Sequence, residues 1–211
     1  MSAKLYFRYG SMGSCKTANA LMVRFNYAER GQQALFLKPQ IDIRDGSEIV
    51  KSRIGLSAPC EPIEKYTENK ENSFKLFMEQ YDCIIVDEAQ FLSKTEVEFL
   101  EYIVDYCDIP VICYGLRTDF QGKLFPGSAA LLASADKIEE LKTICWCGKK
   151  ATCNARYNEN GIITEGSQVE LGSNDKYVAV CRKHFHEGKL REDVPCCDGT
   201  EAKEFKRQLN L

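Results

Sequence analysis

Lys16 and Thr17 close the string Gly10-Ser-Met-Gly-Ser-Cys15-Lys16-Thr17, which follows the apolar run Leu5–Tyr9 and leads into a helix-like stretch, Ala18 to Glu29. A strand running through such a turn into a helix is what a triphosphate needs. The backbone N–H groups of Gly10, Ser11, Met12, Gly13, Ser14 and Cys15, with the positive helix end, can surround a β-phosphate. The lysine then reaches the β- and γ-oxygens, and the hydroxyl binds Mg²⁺. The spacing is that of G-x-x-x-x-G-K-[ST] with one departure, because Cys15 stands where the second glycine belongs. Glycine there permits close backbone approach or a conformation costly for other residues. Cys15 also lies beside Lys16 at a helix amino terminus, where cation and dipole both favour thiolate. It reads either as a reactive thiol that bound MgATP would cover or as a thiol turned into the strand-helix packing and inert to reagents, since spacing does not set side-chain direction in this loop.

A second segment supplies acids. Cys83-Ile-Ile-Val-Asp87-Glu88 is a short β-branched run ending abruptly in two carboxylates, which reads as a buried parallel strand. The carboxyl ends of such strands face the ligand crevice, where Asp87 can support Mg²⁺ and Glu88 can take a proton from a nucleophile. An acidic helix start would also place two acids together. The phosphate loop in the same chain argues against that alternative.

A third cluster lies in the carboxyl-terminal third. Cys145-Trp-Cys147-Gly148 and Cys181-Arg-Lys-His184 give three thiols and one imidazole in two close pairs, a complete tetrahedral Zn²⁺ set. Gly148 suits the tight turn that brings backbone N–H groups to a thiolate. Cys153, Cys196, Cys197 and His186 are rival ligands, and the plainer reading makes all these cysteines small buried residues. A site with four protein ligands is closed, so this metal is structural.

The elements that must position these groups alternate. Gln33–Leu37 and Ile109–Tyr114 read as further strands, Ser73–Gln80 and Thr95–Tyr106 as helices, the second capped by Ser93. Leu131–Ala135 reads as a short helix, and 138–144 as the way out of the nucleotide domain. Residues 39–72 are polar with little periodicity, as a flexible or ligand-ordered segment would be. Strands alternating with helices imply a parallel sheet with right-handed crossovers. The fold class is therefore α/β: a phosphate-loop parallel sheet flanked by helices over 1–143, a small zinc-binding lobe over 144–192, and a tail over 193–211 that reads as a charged helix or as disordered.

Composition bounds the function. A chain of 211 residues with 44% hydrophobic residues can bury one good core and a satellite lobe. A formal charge of -3 with scattered cations gives no footprint for nucleic acid. No apolar stretch approaches the roughly 20 residues that span a bilayer, and no charged-then-apolar leader opens the chain. Eleven cysteines, an odd number without an export signal, suggest reduced thiols and a cytoplasmic protein.

Together, the loop through Lys16-Thr17, Asp87-Glu88-Ala89-Gln90-Phe91, Gly115-Leu116-Arg117-Thr118-Asp119-Phe120 and the paired Cys/His lobe resemble the type II thymidine kinases, and most of all their bacterial members. The match runs in one order across almost the whole chain. The resemblance implies that Glu88 deprotonates the 5′-hydroxyl of thymidine, that Lys16, Thr17, Asp87 and Gln90 serve MgATP, and that Zn²⁺ is structural. It gives Asp42-Ile-Arg44 the family's D-x-R roles, the acid on the deoxyribose 3′-hydroxyl and the arginine near the transferred phosphate. Met12, Phe91, Leu116, Phe120 and Tyr177 fall where relatives surround the thymine, although composition alone would make most of them core. Asn154 stands where some relatives have threonine. The segment from Glu165 to Tyr177 corresponds to a lasso whose backbone reads the base, and relatives are homotetramers. The competing class, a phosphate-loop ATPase or motor, would use Glu88 to activate water.

Overall fold

The computed structural model describes residues 2–158, 161–168 and 177–188. Six parallel strands form the central sheet: β1 (Leu5–Tyr9), β2 (Ala34–Lys38), β5 (Glu61–Pro62), β6 (Cys83–Val86), β7 (Val111–Gly115) and β8 (Lys137–Glu140). Their spatial order is β5-β2-β6-β7-β1-β8. The inner strands are apolar at successive positions because both faces are covered. Leu35, Leu37, Ile84, Val86, Val111 and Cys113 face one cluster, which includes Phe77, Phe99, Leu100 and Ile103 of helices α3 (Lys70–Gln80) and α4 (Lys94–Cys107) and Leu131 of α5 (Pro126–Ser134). Phe36, Cys83, Ile85, Ile112 and Tyr114 face the other, against Ala20 and Leu21 of α1 (Lys16–Ala28).

The element types expected along this half are present, with informative shifts. Ser93 caps α4 through a reciprocal box with Glu96. Helix α5 starts five residues before the expected Leu131, because Pro126 occupies its first turn, where a missing N–H costs nothing. The stretch after it does not simply lead out: Lys137–Glu140 pairs with β1 as the sixth strand. Residues 39–72 hold a two-stranded hairpin, β3 (Ile49–Lys51) with β4 (Ser57–Pro59), then β5 and the short helix α2 (Glu64–Thr67). These pieces are too short for periodicity to show.

Beyond the sheet, β9 (Thr143–Ile144) and β10 (Lys150–Ala151) make a hairpin, and β11 (Cys153–Asn158) sits between β12 (Gly161–Ile163) and β13 (Tyr177–Val180) in an antiparallel sheet. Helix α6 (Arg182–Glu187) follows. Most of the expected lasso, 169–176, and the tail 193–211 with Cys196 and Cys197 lie outside the described residues. Among the described residues no helix is long and apolar enough to cross a membrane.

Candidate active site

The carboxyl ends of β1, β6 and β7 meet at one cavity of about 250 Å³. Met12 to Ala18 form one wall, Asp87, Glu88 and Leu116 the floor, and Asp42, Arg44 and Asp45 a side. The turn from β1 reaches over β7, where Gly10 N–H donates to Gly115 C=O at 3.2 Å. Cys15 caps α1 in the left-handed region at φ 57°, the conformation that explains a glycine in the usual pattern. Its side chain is exposed.

Lys16 folds back over the loop and donates to Gly10 C=O (3.0 Å), Ser11 C=O (3.0 Å) and Ser14 Oγ (3.4 Å). Burial pushes its ammonium down to about 8, against the pull of Glu88 and Asp87. Thr17 Oγ1 donates to Asp87 Oδ2 at 2.7 Å. The other oxygen, Asp87 Oδ1, is buried with no hydrogen-bond partner among the described residues. Burial first, then the Glu88 charge, raises the Asp87 carboxyl to about 7. A hydroxyl and an orphaned buried carboxylate oxygen side by side are what a hydrated divalent cation would satisfy.

Glu88 also sits in the left-handed region, at φ 52°. Both its oxygens are held: Arg44 donates to Oε1 at 2.6 Å and Gln90 Nε2 to Oε2 at 2.6 Å. Arg44 is fixed in turn by Asp42 at 2.6 Å. Burial alone would raise Asp42, but the Arg44 hydrogen bond and charge, with Lys38, hold it below the usual carboxylate range. Gln90 is fully buried and accepts from Leu116 N–H through Oε1 at 2.9 Å. A methyl on Gly115 would lie 2.8 Å from that oxygen, so the glycine leaves room for the amide.

In the small lobe, one ligand atom each from Cys145, Cys147, Cys181 and His184 lies within 4.8 Å of the others. Cys147 and Cys181 sulfurs are 3.9 Å apart, and His184 Nδ1 is 3.4 and 3.5 Å from the Cys145 and Cys181 sulfurs. A tetrahedron of roughly 2.3 Å metal–sulfur bonds has edges of about 3.8 Å, so these spacings fit a metal cage. Gly148, at φ 79°, closes the knuckle with its N–H on Cys145 C=O at 2.8 Å. Trp146 stacks on His184, 3.9 Å and 9° from parallel. The rivals stand apart: Cys153 lies on β11, and His186 packs edge-on against Phe185.

The thymidine kinase family model matches residues 3–185. The chain belongs to the thymidine kinase family. A thymidine kinase of Zymomonas mobilis is 49% identical over 191 residues, 88% of this chain and 97% of the relative. One from Rhodopirellula baltica is 45% identical over 214 residues, covering 97% of this chain and all of the relative. One from Shewanella oneidensis is 48% identical over 187 residues, 88% of this chain and 97% of the relative.

Within this thymidine kinase fold, the residues expected around the base separate. Met12, Leu116 and Asp42 line the cavity with Glu88. Phe91, Phe120, Asn154 and Tyr177 do not line it. Phe91 packs edge-on against Phe125, and Phe120 is buried beneath the Arg156 guanidinium. Tyr177 opens β13 opposite Arg156. Asn154 joins the two parts of the chain: its Oδ1 accepts from Met12 N–H at 2.8 Å and its Nδ2 donates to Thr118 C=O at 3.2 Å. Ser11 Oγ to Ala151 C=O (3.1 Å) and Thr143 Oγ1 to Gly13 C=O (3.3 Å) add two more ties. Asp119 orders its loop by accepting from Gln121 and Lys123 N–H, and Gln168 donates to its other oxygen at 2.9 Å. Thr143 and Gln168 carried no local signal, since each acts on a partner distant in sequence, whereas Asp119 stood in the Gly115–Phe120 string and orders its own turn.

Proposed function

We propose that the chain transfers the terminal phosphoryl group of MgATP to the 5′-hydroxyl of thymidine, with Glu88 as general base. The observation that carries this reading is Glu88 itself, a carboxylate clamped between Arg44 and Gln90 on the floor of the cavity that the phosphate loop opens into. A base aimed by two partners can meet one hydroxyl within hydrogen-bond reach. Lys16 and the loop N–H groups bind the phosphates, and Thr17 with Asp87 would hold the Mg²⁺ that neutralises phosphate charge. Arg44, bridging Asp42 and Glu88 at the cavity wall, would follow the transferred group. Asp42, buried beside it, would take the sugar 3′-hydroxyl. Met12 and Leu116 offer apolar contact to the pyrimidine, and the family resemblance would add Phe91, Phe120 and Tyr177.

The ion in the Cys145–Cys147–Cys181–His184 cage is Zn²⁺ on this reading, since three thiolates and an imidazole in tetrahedral array favour it. The nine described cysteines carry free thiols, which suits a cytoplasmic enzyme. Met22 and Phe25 project from α1 at 56% and 61% exposure beside an apolar groove, as a homotetramer contact would.

The test is a nucleoside panel with labelled ATP. Thymidine should be phosphorylated and ATP should be stable without nucleoside. Equal hydrolysis with and without thymidine would favour the motor instead.

A further inference from the structure

The cavity has one more wall, and the mechanism above gives it no task. Opposite the phosphate loop it is lined by Ile49 to Ile54, the first arm and tip of the β3–β4 hairpin. This hairpin is fixed at both ends. At its root, Lys38 is 1% exposed and donates its ammonium to Gly46 C=O at 2.6 Å and Ile49 C=O at 3.0 Å, with Asp42 at 3.7 Å. A buried ammonium is tolerated only when so paired. Lys38 therefore ties the hairpin root to the same carboxylate that holds Arg44. At the tip, buried Ser52 donates its N–H and Oγ to Leu56 C=O at 2.8 and 3.1 Å, and Gly55, at φ 98°, returns an N–H to Ser52 C=O at 3.0 Å. The turn is a firm platform, and Arg53 stands on it.

Arg53 is exposed, lines the cavity and makes no ion pair among the described residues. Arg44 is matched by Asp42 and Glu88, Lys16 is held by three loop oxygens, and Lys51, on the first arm of the hairpin, makes no ion pair among the described residues. Arg53 is nonetheless near enough to Lys16 for its charge to disfavour the ammonium, as Arg44 does. Four cations line the space, Lys16, Arg44, Lys51 and Arg53, and of the two on the hairpin Arg53 is the one close enough to act on Lys16. Such repulsion is relieved when a polyanion enters.

We propose that Arg53 is a further catalytic residue of this site, a cation carried by the hairpin onto the triphosphate to neutralise charge on the phosphate chain during transfer. The inference rests on the phosphoryl-transfer reading above. In the step, the sugar oxygen bonds to the terminal phosphorus while the bond from that phosphorus to the bridging oxygen breaks. The electron pair leaves on ADP, the hydroxyl proton passes to Glu88, and Arg53 stays protonated throughout.

Arg53→Ala and Arg53→Lys decide it, measured beside Lys94→Ala, a surface-charge control on α4. Arg53→Ala should lower kcat/KM for MgATP by about 10²-fold or more, as loss of a transition-state cation does. Its melting temperature should not change. Added guanidinium ion should restore part of the rate, Arg53→Lys should retain an intermediate rate, and Lys94→Ala should match the parent. Wild-type kinetics in Arg53→Ala overturns the proposal, as does a loss that guanidinium does not rescue. If the parent chain phosphorylates no nucleoside, the function reading has failed separately. Arg53 is then judged by nucleotide binding alone: at least 10-fold weaker ATP binding by Arg53→Ala, with ADP less affected, supports it, and equal binding overturns it.

Discussion

The phosphate-loop half and the Cys/His lobe are held together by different physics. The first buries two clusters of twenty and nine residues on the two faces of a parallel sheet. Among its described residues the second buries a cluster of five, of which two are cysteine and two alanine, with Val180 the larger aliphatic side chain of that cluster. At roughly 25 cal/mol per Å² of apolar surface, such a core contributes little. On the zinc reading proposed above, the lobe would depend on its ligand cage for order, whereas the sheet would not. A site assembled across both inherits the weaker partner's fragility: Ser11, Met12 and Gly13 of the phosphate loop each hydrogen-bond into the lobe or its connecting segment.

Metal removal should break this contrast most visibly. Stripping the ion with a chelator, or Cys181→Ser, should abolish thymidine binding and weaken ATP binding to a smaller degree, while the sheet keeps its main melting transition. The emission of Trp146, the only tryptophan, should shift as its stack on His184 is lost. One cooperative transition for the whole metal-free chain, falling together, would erase the distinction between the halves.

Glu88→Gln probes the sheet half without touching its core. Turnover should fall by roughly 10²-fold or more. ATP affinity and melting temperature should hardly move, because Glu88 lies at the cavity and not in either cluster. Near-normal thymidine phosphorylation would remove Glu88 from the mechanism.

Proton traffic offers a finer measurement. The free fold favours neutral Asp87, so that contribution is present below the usual carboxylate value near 4 and is lost as pH rises through about 7. Asp87→Asn should accordingly gain stability over the parent across that window in the absence of nucleotide. MgATP, which calls for the carboxylate, should release protons on binding near pH 6. Above pH 8 it should take up protons, since burial holds Lys16 down to about 8 in the free chain and phosphate favours the ammonium. Calorimetry in buffers of different ionisation enthalpy reads both signs, and binding without proton exchange at either pH would contradict them.

The smallest effect belongs to Cys15. A non-glycine residue in the left-handed region costs roughly 1–2 kcal/mol, part of which a glycine returns as unfolded-chain entropy. Cys15→Gly should stabilise the protein by about 1 kcal/mol at most, a rise of a few degrees in melting temperature. The exposed thiol should be alkylated quickly in the free chain and slowly with MgATP bound. Mass mapping that finds equal labelling in both states would place Cys15 outside the nucleotide's cover.

How far the sequence reaches follows from the range of each interaction. The phosphate loop, the acids ending β6, the Ser93 cap and the two ligand pairs are local, because backbone geometry within a few residues fixes them. They were readable as spacing. The C-x-C-G and C-x-x-H pairs, for example, needed no knowledge of how the chain between them folds.

The clamp on Glu88, the buried Lys38 and the Asn154 tie were not readable in this way. Each joins segments brought together by the strand order β5-β2-β6-β7-β1-β8, which sets the ends of β1 and β6 on either side of β7. The hairpin of residues 49–59 was invisible for the same reason: three-residue strands have no period, and what fixes them is an ammonium from β2 beneath them. Sequence alone determined which groups could do chemistry and the turns that present them. Only the tertiary structure decided which charges face one another, because that depends on the order in which distant strands pair.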